Sequence, residues 1–346
     1  MQVPRLAIDV MSGDYGPDVI IRGVLEAKRV IPDPFSVYLC GDEQVIRAKL
    51  REAGVSIGKD TEDIVIEHCW ENVTLQQLPF RVWKSKEHSS IIRCITLQQQ
   101  GLADATISAG DTRILMTAAV FLLGRIKGVQ RPALAAFLPT VQKKRSLLLD
   151  VGANINCKPG HLVAFGMMGQ AYLRDVCGVA SPKVALLNIG TEPSKGTKNI
   201  FEADKELHRW CRGYCGFIEG SGILSGAADV IVSDGFAGNV IIKACESFHT
   251  LAESVLENNT LLLAQLRDVL AILNPENYGA VPLLGIKGTV LKAHGSSSSK
   301  AFANAIQTTL KTISKKTFTL KLDYPGMAHR IAAEIRDSIG ERQSGR

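Results

Sequence analysis

Six turns of the sequence combine glycine with hydroxyl, amide or charged side chains, and each follows a short apolar run. Glycine lets the backbone approach an oxyanion closely, while Ser, Thr and Asn cap the next helix or donate hydrogen bonds to a ligand. An ordinary helix cap is the commoner explanation of any one turn, but six together favour a phosphate-like or acyl-oxyanion ligand. The turns are DVMSGDYG (9–16), SAGDTR (108–113), VGANINCKPGH (151–161), NIGTEPSKGTKN (188–199), SDGFAGN (233–239) and AHGSSSSK (293–300).

Three side chains in these turns are candidates for chemistry. Lys195 lies beside Gly196 shortly after an apolar run, where it suits a phosphate or remains a solvated loop lysine. Asn239 opens a predicted helix, where its amide either donates to a developing oxyanion or caps the helix. His294 follows another apolar run and is either a donor or acid, or a structural histidine.

Several common active-site motifs are absent from the sequence. It has no G-x-G-x-x-G after its first apolar run, no G-x-x-x-x-G-K-[ST], no G-x-S-x-G and no H-E-x-x-H. His208, Cys211 and Cys215 could share a helix face, but a structural zinc site needs a fourth ligand and no second pair lies nearby. The sequence therefore predicts anion binding and no metal site.

Short apolar runs alternate with segments of helical period, which is the pattern of a mainly parallel sheet covered on both faces by helices. No linker or internal repeat divides residues 1–346, so we expect one α/β unit. The predicted strands are 6–10, 36–40, 64–67, 105–108, 134–138, 147–151, 184–189, 230–233 and 290–293. The predicted helices are 19–30, 43–53, 90–100, 113–124, 161–175, 199–210, 239–256, 261–273 and 299–313.

The least sheet-like region is 250–287, where Leu residues recur at close spacing between polar stretches. This pattern predicts a projecting helical hairpin. Its apolar stripe either packs in the core or against a second copy of the chain, or also touches lipid, and these alternatives do not exclude one another. Leu261, Leu262 and Leu263 are the candidate membrane contacts.

Composition narrows the class of protein. The chain has 346 residues, a formal net charge of +6, 46% hydrophobic and 21% charged residues, which excludes a disordered or low-complexity chain. The eight Cys are scattered, so we expect reduced thiols. No basic run supports nucleic-acid binding, and no leader or span-length apolar stretch is seen, so we expect a cytoplasmic protein with at most peripheral membrane contact.

Seven collinear motifs between about residues 5 and 315 resemble the bacterial phosphate acyltransferase family PlsX. They are IDVMSGDYGP (8–17), ADATISAGDT (103–112), GRIKGVQRPALAAFLPT (124–140), LLLDVGANINCKPGHLVAFGMMG (147–169), SPKVALLNIGTEPSKG (181–196), ADVIVSDGFAGNVIIK (228–243) and YGAVPLLGIKGTVLKAHGSSSSKA (278–301). The resemblance implies a three-layer αβα fold similar to phosphotransacetylases and isopropylmalate dehydrogenases. It also implies transfer of a fatty acyl group from acyl carrier protein to inorganic phosphate for phospholipid synthesis. No cofactor is implied, and the family forms homodimers that associate peripherally with the inner face of the cytoplasmic membrane.

The same resemblance implies roles for individual residues. Lys195 and Asn239 occupy the positions that the family uses in catalysis, so we expect Lys195 to orient phosphate and Asn239 to stabilise the oxyanion during direct attack on the thioester. The wider set of candidate phosphate-binding and oxyanion-binding residues comprises Gly13, Asp14, Gly110, Thr112, Asn154, Asn188, Gly190, Gly196, Asp234, Gly235, Gly238, His294, Gly295 and Ser296.

Three motifs depart from the family pattern. MSGD replaces MGGD at Ser12, and SAGDTRI replaces SAGNTGA, which introduces Asp111 and Arg113. An acid beside phosphate is unfavourable unless Arg113 pairs with it or contacts the phosphate itself. GFIEGSG replaces GNVEGRD at Ser221 and Gly222. These departures leave open a catalytically weakened scaffold that binds membrane and acyl carrier protein. A phosphotransacetylase-like enzyme that uses acyl-CoA is a second enzymatic alternative.

Overall fold

The computed structural model describes residues 3–55, 58, 61–73, 79–192, 195–256 and 279–315. The strands in this part of the chain are β1 Arg5–Asp9, β2 Ser36–Gly41, β3 Ile64–His68, β4 Ala105–Ser108, β5 Ala133–Pro139, β6 Arg145–Leu149, β7 Val184–Leu187, β8 Tyr214–Ile218, β9 Val230–Val232, β10 Ala280–Leu284 and β11 Thr289–Ala293. The helices are α1 Gly16–Val30, α2 Glu43–Glu52, α3 Pro79–Ser85, α4 Ser90–Gln99, α5 Thr112–Leu122, α6 Pro159–Asp175, α7 Lys198–Trp210, α8 Gly235–Leu256 and α9 Ser299–Ser314.

The described strands form one sheet in the order β3-β2-β1-β4-β11-β10-β5-β6-β9-β7-β8. Pairing is parallel from β3 to β11 and again from β6 to β8. The three pairings between these groups, β11 with β10, β10 with β5 and β5 with β6, are antiparallel. Because these three pairings are all antiparallel, β6 runs antiparallel to β11. The two parallel halves of the sheet therefore run in opposite directions.

Helices cover both faces of the sheet, as the apolar periodicity predicts. In α1, Ile20, Val24 and Ala27 recur at helical spacing and are buried against the first half-sheet and α9. In the second half, α6 packs so closely on the sheet that a Cβ atom at Gly169 would lie 2.6 Å from a Val230 methyl group. A third cluster joins α4 and α5 to β5, β6 and β9. The mainly parallel three-layer α/β fold is therefore confirmed.

Each of the nine predicted strands overlaps a strand of the structure, but β8, β10 and the short helix α3 were not predicted. Strand β10, Ala280–Leu284, lies inside the range 250–287 that was predicted as a helical hairpin, and this part of the prediction is wrong. The predicted helix 261–273, with Leu261, Leu262 and Leu263, lies outside the described residues. No helix that the structure describes is long and apolar enough to cross a bilayer.

Candidate functional site

The six glycine-containing turns fall into two groups at opposite edges of the sheet, because the half-sheets run in opposite directions. The turns after β1, β4 and β11 share the edge that we call the first edge. The turns after β6, β7 and β9 share the second edge. Sequence reasoning treated the six as one pattern, and the three antiparallel pairings that separate them carry no obvious sequence signal.

At the first edge, a buried carboxylate organises two neighbouring turns. Asp9 Oδ2 accepts hydrogen bonds from the hydroxyl groups of Ser12, at 2.5 Å, and Ser108, at 2.6 Å. The backbone N–H of Gly110 donates to Ser108 Oγ over 3.0 Å. A Cβ atom at Gly110 would lie only 2.8 Å from Ser12 Oγ, so glycine is needed for this approach. Ser12, where the sequence departs from the family, is thus part of the network.

The turn after β11 lies against the turn after β1. Asp14 donates its backbone N–H to the Gly295 carbonyl over 2.8 Å, and Gly13 adopts a φ of +96°, which favours glycine. A Cβ atom at Gly295 would lie 3.0 Å from each Asp14 carboxylate oxygen. The structure therefore brings Gly13, Asp14, Gly110 and Gly295 together.

At the second edge, the buried carboxylate of Asp150 is fully engaged. Its Oδ1 accepts the backbone N–H groups of Leu134 and Ala153, and its Oδ2 accepts the backbone and side-chain N–H groups of Asn154. Asn154 also donates its side-chain amide to the Pro132 carbonyl over 2.7 Å. Both amide hydrogens of Asn154 are thus used within the turn, which gives this residue a positioning role in the structure.

Helix α8 begins at Gly235, four residues before the predicted start, so Asn239 is not its cap. Asp234 accepts the Ala237 N–H at 2.8 Å instead. Gly235 and Gly238 allow the helix to start this early, since a Cβ atom at Gly238 would lie 1.8 Å from the Asp150 carbonyl oxygen. Asn239 therefore presents its side chain from within the helix, where its amide makes a long 3.4 Å hydrogen bond to the Val151 carbonyl.

The turn after β7 is built around Asn188. Its side-chain amide donates to the carbonyl oxygens of Gly190 and Lys195. Gly196, at a φ of +127°, leaves space for it, because a Cβ atom there would lie 2.5 Å from Asn188 Oδ1. Lys195 Nζ is 3.0 Å from Glu192 Oε1, and both side chains are more than half exposed. The ammonium group of Lys195 is thus held in an exposed ion pair.

A cavity of about 290 Å³, here called the central cavity, lies between the two edges under α8. Its apolar wall is formed by β5 and β10, with Leu134, Phe137, Leu138 and Val281 among its members. Its polar groups come from the first half of the sheet, namely Thr112, Lys292 and His294, and from α8, namely Asn239, Lys243 and Glu246. Lys195 is not among the described residues that line it.

The spacing on α8 explains how it spans the cavity. Asn239, Lys243 and Glu246 are separated by four and three residues and therefore lie on one face of the helix. Lys243 Nζ is 2.6 Å from Glu246 Oε2 and 3.1 Å from His294 Nε2. His294 Nδ1 contacts Ser296 Oγ at 2.8 Å. Burial and the Lys243 charge lower the pKa of His294, which favours the neutral imidazole at pH 7.

Sequence reasoning missed Lys243, Glu246 and Lys292. The first two could have been found from their helical spacing to Asn239. Lys292 lies in the strand TVLKA between two buried residues, and a lysine inside an apolar strand is itself a signal of a special environment. Burial lowers the pKa of Lys292 to about 8.

Asp111 and Arg113, the charged residues that depart from the family pattern in the turn after β4, pair with each other. Asp111 caps α5 by accepting the N–H groups of Arg113 and Ile114, and its Oδ2 is 2.9 Å from a guanidinium nitrogen of Arg113. Burial acts to raise the pKa of Asp111, but the hydrogen bonds from these two residues lower it below its ordinary value. The pairing suggested from the sequence is confirmed. Ser221 and Gly222 lie in a short 3₁₀ turn after β8.

The eight cysteines are free thiols. In the described part of the chain, no cluster of His, Cys, Asp or Glu side chains has three or more members that could hold a metal ion. Cys211 contacts the side chain of Gln170, while His208 lies against Asp204 on its own helix. These residues are accounted for by local packing.

Comparisons with known proteins point in one direction. A family model described as "Fatty acid synthesis protein" matches residues 4–319. A phosphate acyltransferase of Bacillus licheniformis is 38% identical over 322 residues, which is 90% of this chain and 95% of that protein. A phosphate acyltransferase of Staphylococcus aureus is 38% identical over 317 residues, covering 88% of this chain and 92% of that protein.

Solved structures with a similar fold include a phosphotransacetylase from Streptococcus pyogenes, with a TM-score of 0.60 and 15% identity over 90% of this chain and 94% of that one. A branched-chain phosphotransacylase from Enterococcus faecalis aligns with a TM-score of 0.56 and 15% identity, covering 90% of this chain and 100% of that one. At this level of identity the likeness concerns the fold alone.

Proposed function

Because the chain belongs to the fatty acid synthesis protein family that contains the bacterial phosphate acyltransferases, we propose that it transfers a fatty acyl group from acyl carrier protein to inorganic phosphate. The protein is an acyltransferase, and phosphate is the acceptor that its family uses. The acyl phosphate product would serve phospholipid synthesis. The identity of the donor and this use of the product are the parts that need a test.

The central cavity is the observation that carries this proposal. One wall, formed by β5 and β10, is apolar and suits an acyl chain, while Asn239, Lys292 and His294 place polar groups at the same cavity. A substrate with an apolar tail and a reacting polar head fits such a division. Ser296 Oγ contacts His294 Nδ1 at 2.8 Å, but Ser296 is not among the described residues that line the cavity, and direct attack by phosphate needs no acyl-enzyme.

In the proposed reaction, an oxygen of hydrogen phosphate attacks the thioester carbonyl carbon. The new C–O bond forms a tetrahedral intermediate, whose oxyanion Asn239 stabilises with its side-chain N–H. The C–S bond then breaks, and the phosphate proton ends on the departing thiol. Lys195 orients and neutralises phosphate from the neighbouring turn at the second edge, once its exposed ion pair with Glu192 opens. Phosphate is already ionised at neutral pH, so positioning matters more than a strong base.

The donor is tested by comparing acyl carrier protein with coenzyme A at equal acyl length. The net charge of +6 suits an acidic carrier protein, because complementary charge speeds encounter. We expect acyl phosphate to form much faster from the acyl carrier protein thioester. An equal or faster rate with acyl-CoA would support the phosphotransacetylase-like alternative. A folded protein that forms no acyl phosphate from either donor would contradict the enzymatic proposal and favour the scaffold.

Homodimer formation and peripheral membrane contact are further parts of the proposal. Beyond the cavity face, α8 exposes an apolar stripe comprising Phe236, Val240, Phe248, Leu251 and Val255. In the sequence, α8 is followed by residues 257–278, which contain more leucines. An exposed apolar stripe on a helix is typical of an interface with another chain or with lipid.

The membrane contact is tested with the triple variant that replaces Leu261, Leu262 and Leu263 by Ser. We expect the variant to stay in the supernatant when liposomes are sedimented, while analytical ultracentrifugation still gives a dimer. Undiminished sedimentation with lipid would contradict the assignment of these leucines.

A further inference from the structure

Lys292 is an unusual cation for its position in the fold. It lies in β11, near the middle of the sheet, between the neighbours β4 and β10. Its side chain is largely withdrawn from solvent and lines the central cavity. Nζ donates only to backbone carbonyl groups, those of Ala109, at 3.3 Å, and Ala293, as far as the described residues show.

The nearby acids leave the charge of Lys292 without an ion-pair partner. No carboxylate oxygen in the described ranges lies within 4.0 Å of its Nζ, whereas Glu246 pairs with Lys243 and Asp111 pairs with Arg113. A partly buried ammonium group without a counter-ion is costly unless an anion occupies the space beside it. The structure therefore provides a cation at the cavity wall that is set up to receive an anion.

We propose that Lys292 is a phosphate-contacting catalytic residue, whose ammonium group binds, at the β11 end of the central cavity, the oxygens of inorganic phosphate that do not attack the thioester. This inference rests on the proposed function, and it deepens that proposal by naming where the acceptor binds. Phosphate would be held between Lys292 at the first edge and the groups that α8 carries from the second edge, and Lys195 would approach it from the second edge once its ion pair with Glu192 opens. Asn239, which lines the same cavity, would remain within reach of the thioester.

The charge state of Lys292 depends on several surrounding groups. Burial lowers its pKa to about 8, and the positive charge of Lys243 contributes in the same direction. Carboxylates oppose this effect, and phosphate would add to them. The groups that act on Lys292 are Asp9 in β1, Asp14 after β1, Asp111 after β4 and Lys243 in α8, with His294 just after the end of its own strand.

The first test uses the unmodified protein and inorganic phosphate alone. Each lysine is acetylated with limiting acetic anhydride at about pH 8, where a Lys292 with this pKa is about half unprotonated, and the modification is quantified by mass spectrometry. We expect phosphate at about ten times its dissociation constant to slow acetylation of Lys292 by about tenfold. Lys287, which is exposed in the turn before β11, is the control whose labelling phosphate should not change.

The second test separates phosphate binding from folding. The Lys292→Met variant should raise the phosphate KM about 10- to 100-fold, because a charge-assisted contact is lost, and should change the acyl-donor KM much less. Lys292→Arg keeps the charge and should recover most of the affinity, whereas Lys287→Met should resemble the native protein. In the native protein kcat/KM for phosphate should fall above about pH 8, and in Lys292→Arg this fall should disappear.

Unchanged labelling of Lys292 in saturating phosphate, or an unchanged phosphate KM in folded Lys292→Met, overturns the assignment. These results are distinguishable from a failure of the proposed function. Protection of Lys292 by phosphate without any acyl phosphate formation would contradict acyl transfer and leave the phosphate contact standing. Acyl phosphate formation without protection of Lys292 by phosphate would contradict the phosphate contact and leave acyl transfer standing.

Discussion

The two edges of the sheet carry similar turns but use their polar groups differently. At the second edge, the carboxylate of Asp150 accepts four N–H groups, and Asn154 and Asn188 spend their amides on nearby carbonyl oxygens. At the first edge, Asp9 accepts only two hydroxyl groups, and its Oδ1 has no hydrogen-bond partner among the described residues.

The two edges therefore have different roles. The second edge is a rigid, internally satisfied frame from which α8 starts and crosses the cavity with Asn239 on its inner face. The first edge keeps polar groups, notably the ammonium group of Lys292 and the imidazole of His294, directed to the cavity. Turns that look alike in the sequence can thus either hold a helix in place or bind a ligand, and hydrogen-bond satisfaction distinguishes the two.

The largest expected effect on stability is at Gly238, where α8 touches the second edge. Gly238→Ala places a Cβ atom 1.8 Å from the Asp150 carbonyl oxygen, so the helix start must shift. We expect the free energy of unfolding in urea to fall by about 3 kcal/mol or more. Gly160→Ala, in the first turn of α6 with nothing within 4 Å of the added atom, is the control and should gain up to about 1 kcal/mol. Equal stability of the two variants would contradict a rigid second edge.

Replacing each buried aspartate by asparagine tests the difference between the two edges. Asp150→Asn replaces an acceptor of four N–H groups by a side chain that itself carries two, and should cost about 3 kcal/mol of unfolding free energy. Asp9→Asn can keep its oxygen toward the two serine hydroxyls and should cost about 1 kcal/mol. Denaturant titration of the two variants measures these losses. A larger loss at Asp9 would reverse the roles assigned to the edges.

The smallest expected effect is a change in the pKa of His294 at the first edge. Burial and then the Lys243 charge lower the pKa of His294 below its ordinary value of 6.5. Lys243→Met should therefore raise this pKa, as followed by NMR titration of the imidazole resonances, whereas Lys287→Met should leave it unchanged. If Lys243→Met lowered the pKa or had no effect, the contact between α8 and the β11 turn would not exist in solution.

Much of the fold could be predicted from the sequence, because buried parallel strands are short apolar runs and the intervening helices are amphipathic. Strand β8 was missed since its sequence YCGFI is half-exposed and contains glycine. Strand β10 was missed since Pro282 lies within it, and proline argues against an interior strand. The opposite directions of the two half-sheets depend on long-range pairing of β10 with β5, which local patterns do not encode.

The candidate site was predictable in part. The turns around Gly13, Gly110 and Gly295 do meet at one edge, and Asn239 lines the cavity. Lys292 was missed because no turn motif marks it, and its importance comes from burial beside a cavity. The catalytic roles of Lys195 and Asn239 stay predictions, and Lys195 is placed in an exposed ion pair away from the described cavity lining.

Catalysis in the central cavity is tested most directly by the rate of acyl phosphate formation from long-chain acyl carrier protein and phosphate by the native protein, Asn239→Ala, Lys195→Ala and Lys287→Met. Lys287 is exposed, lies outside the cavity lining and serves as the control. We expect kcat to fall about 100-fold or more in Asn239→Ala, with a large loss in Lys195→Ala, and to stay near native in Lys287→Met. Native turnover in a folded Asn239→Ala protein would contradict catalysis in the central cavity.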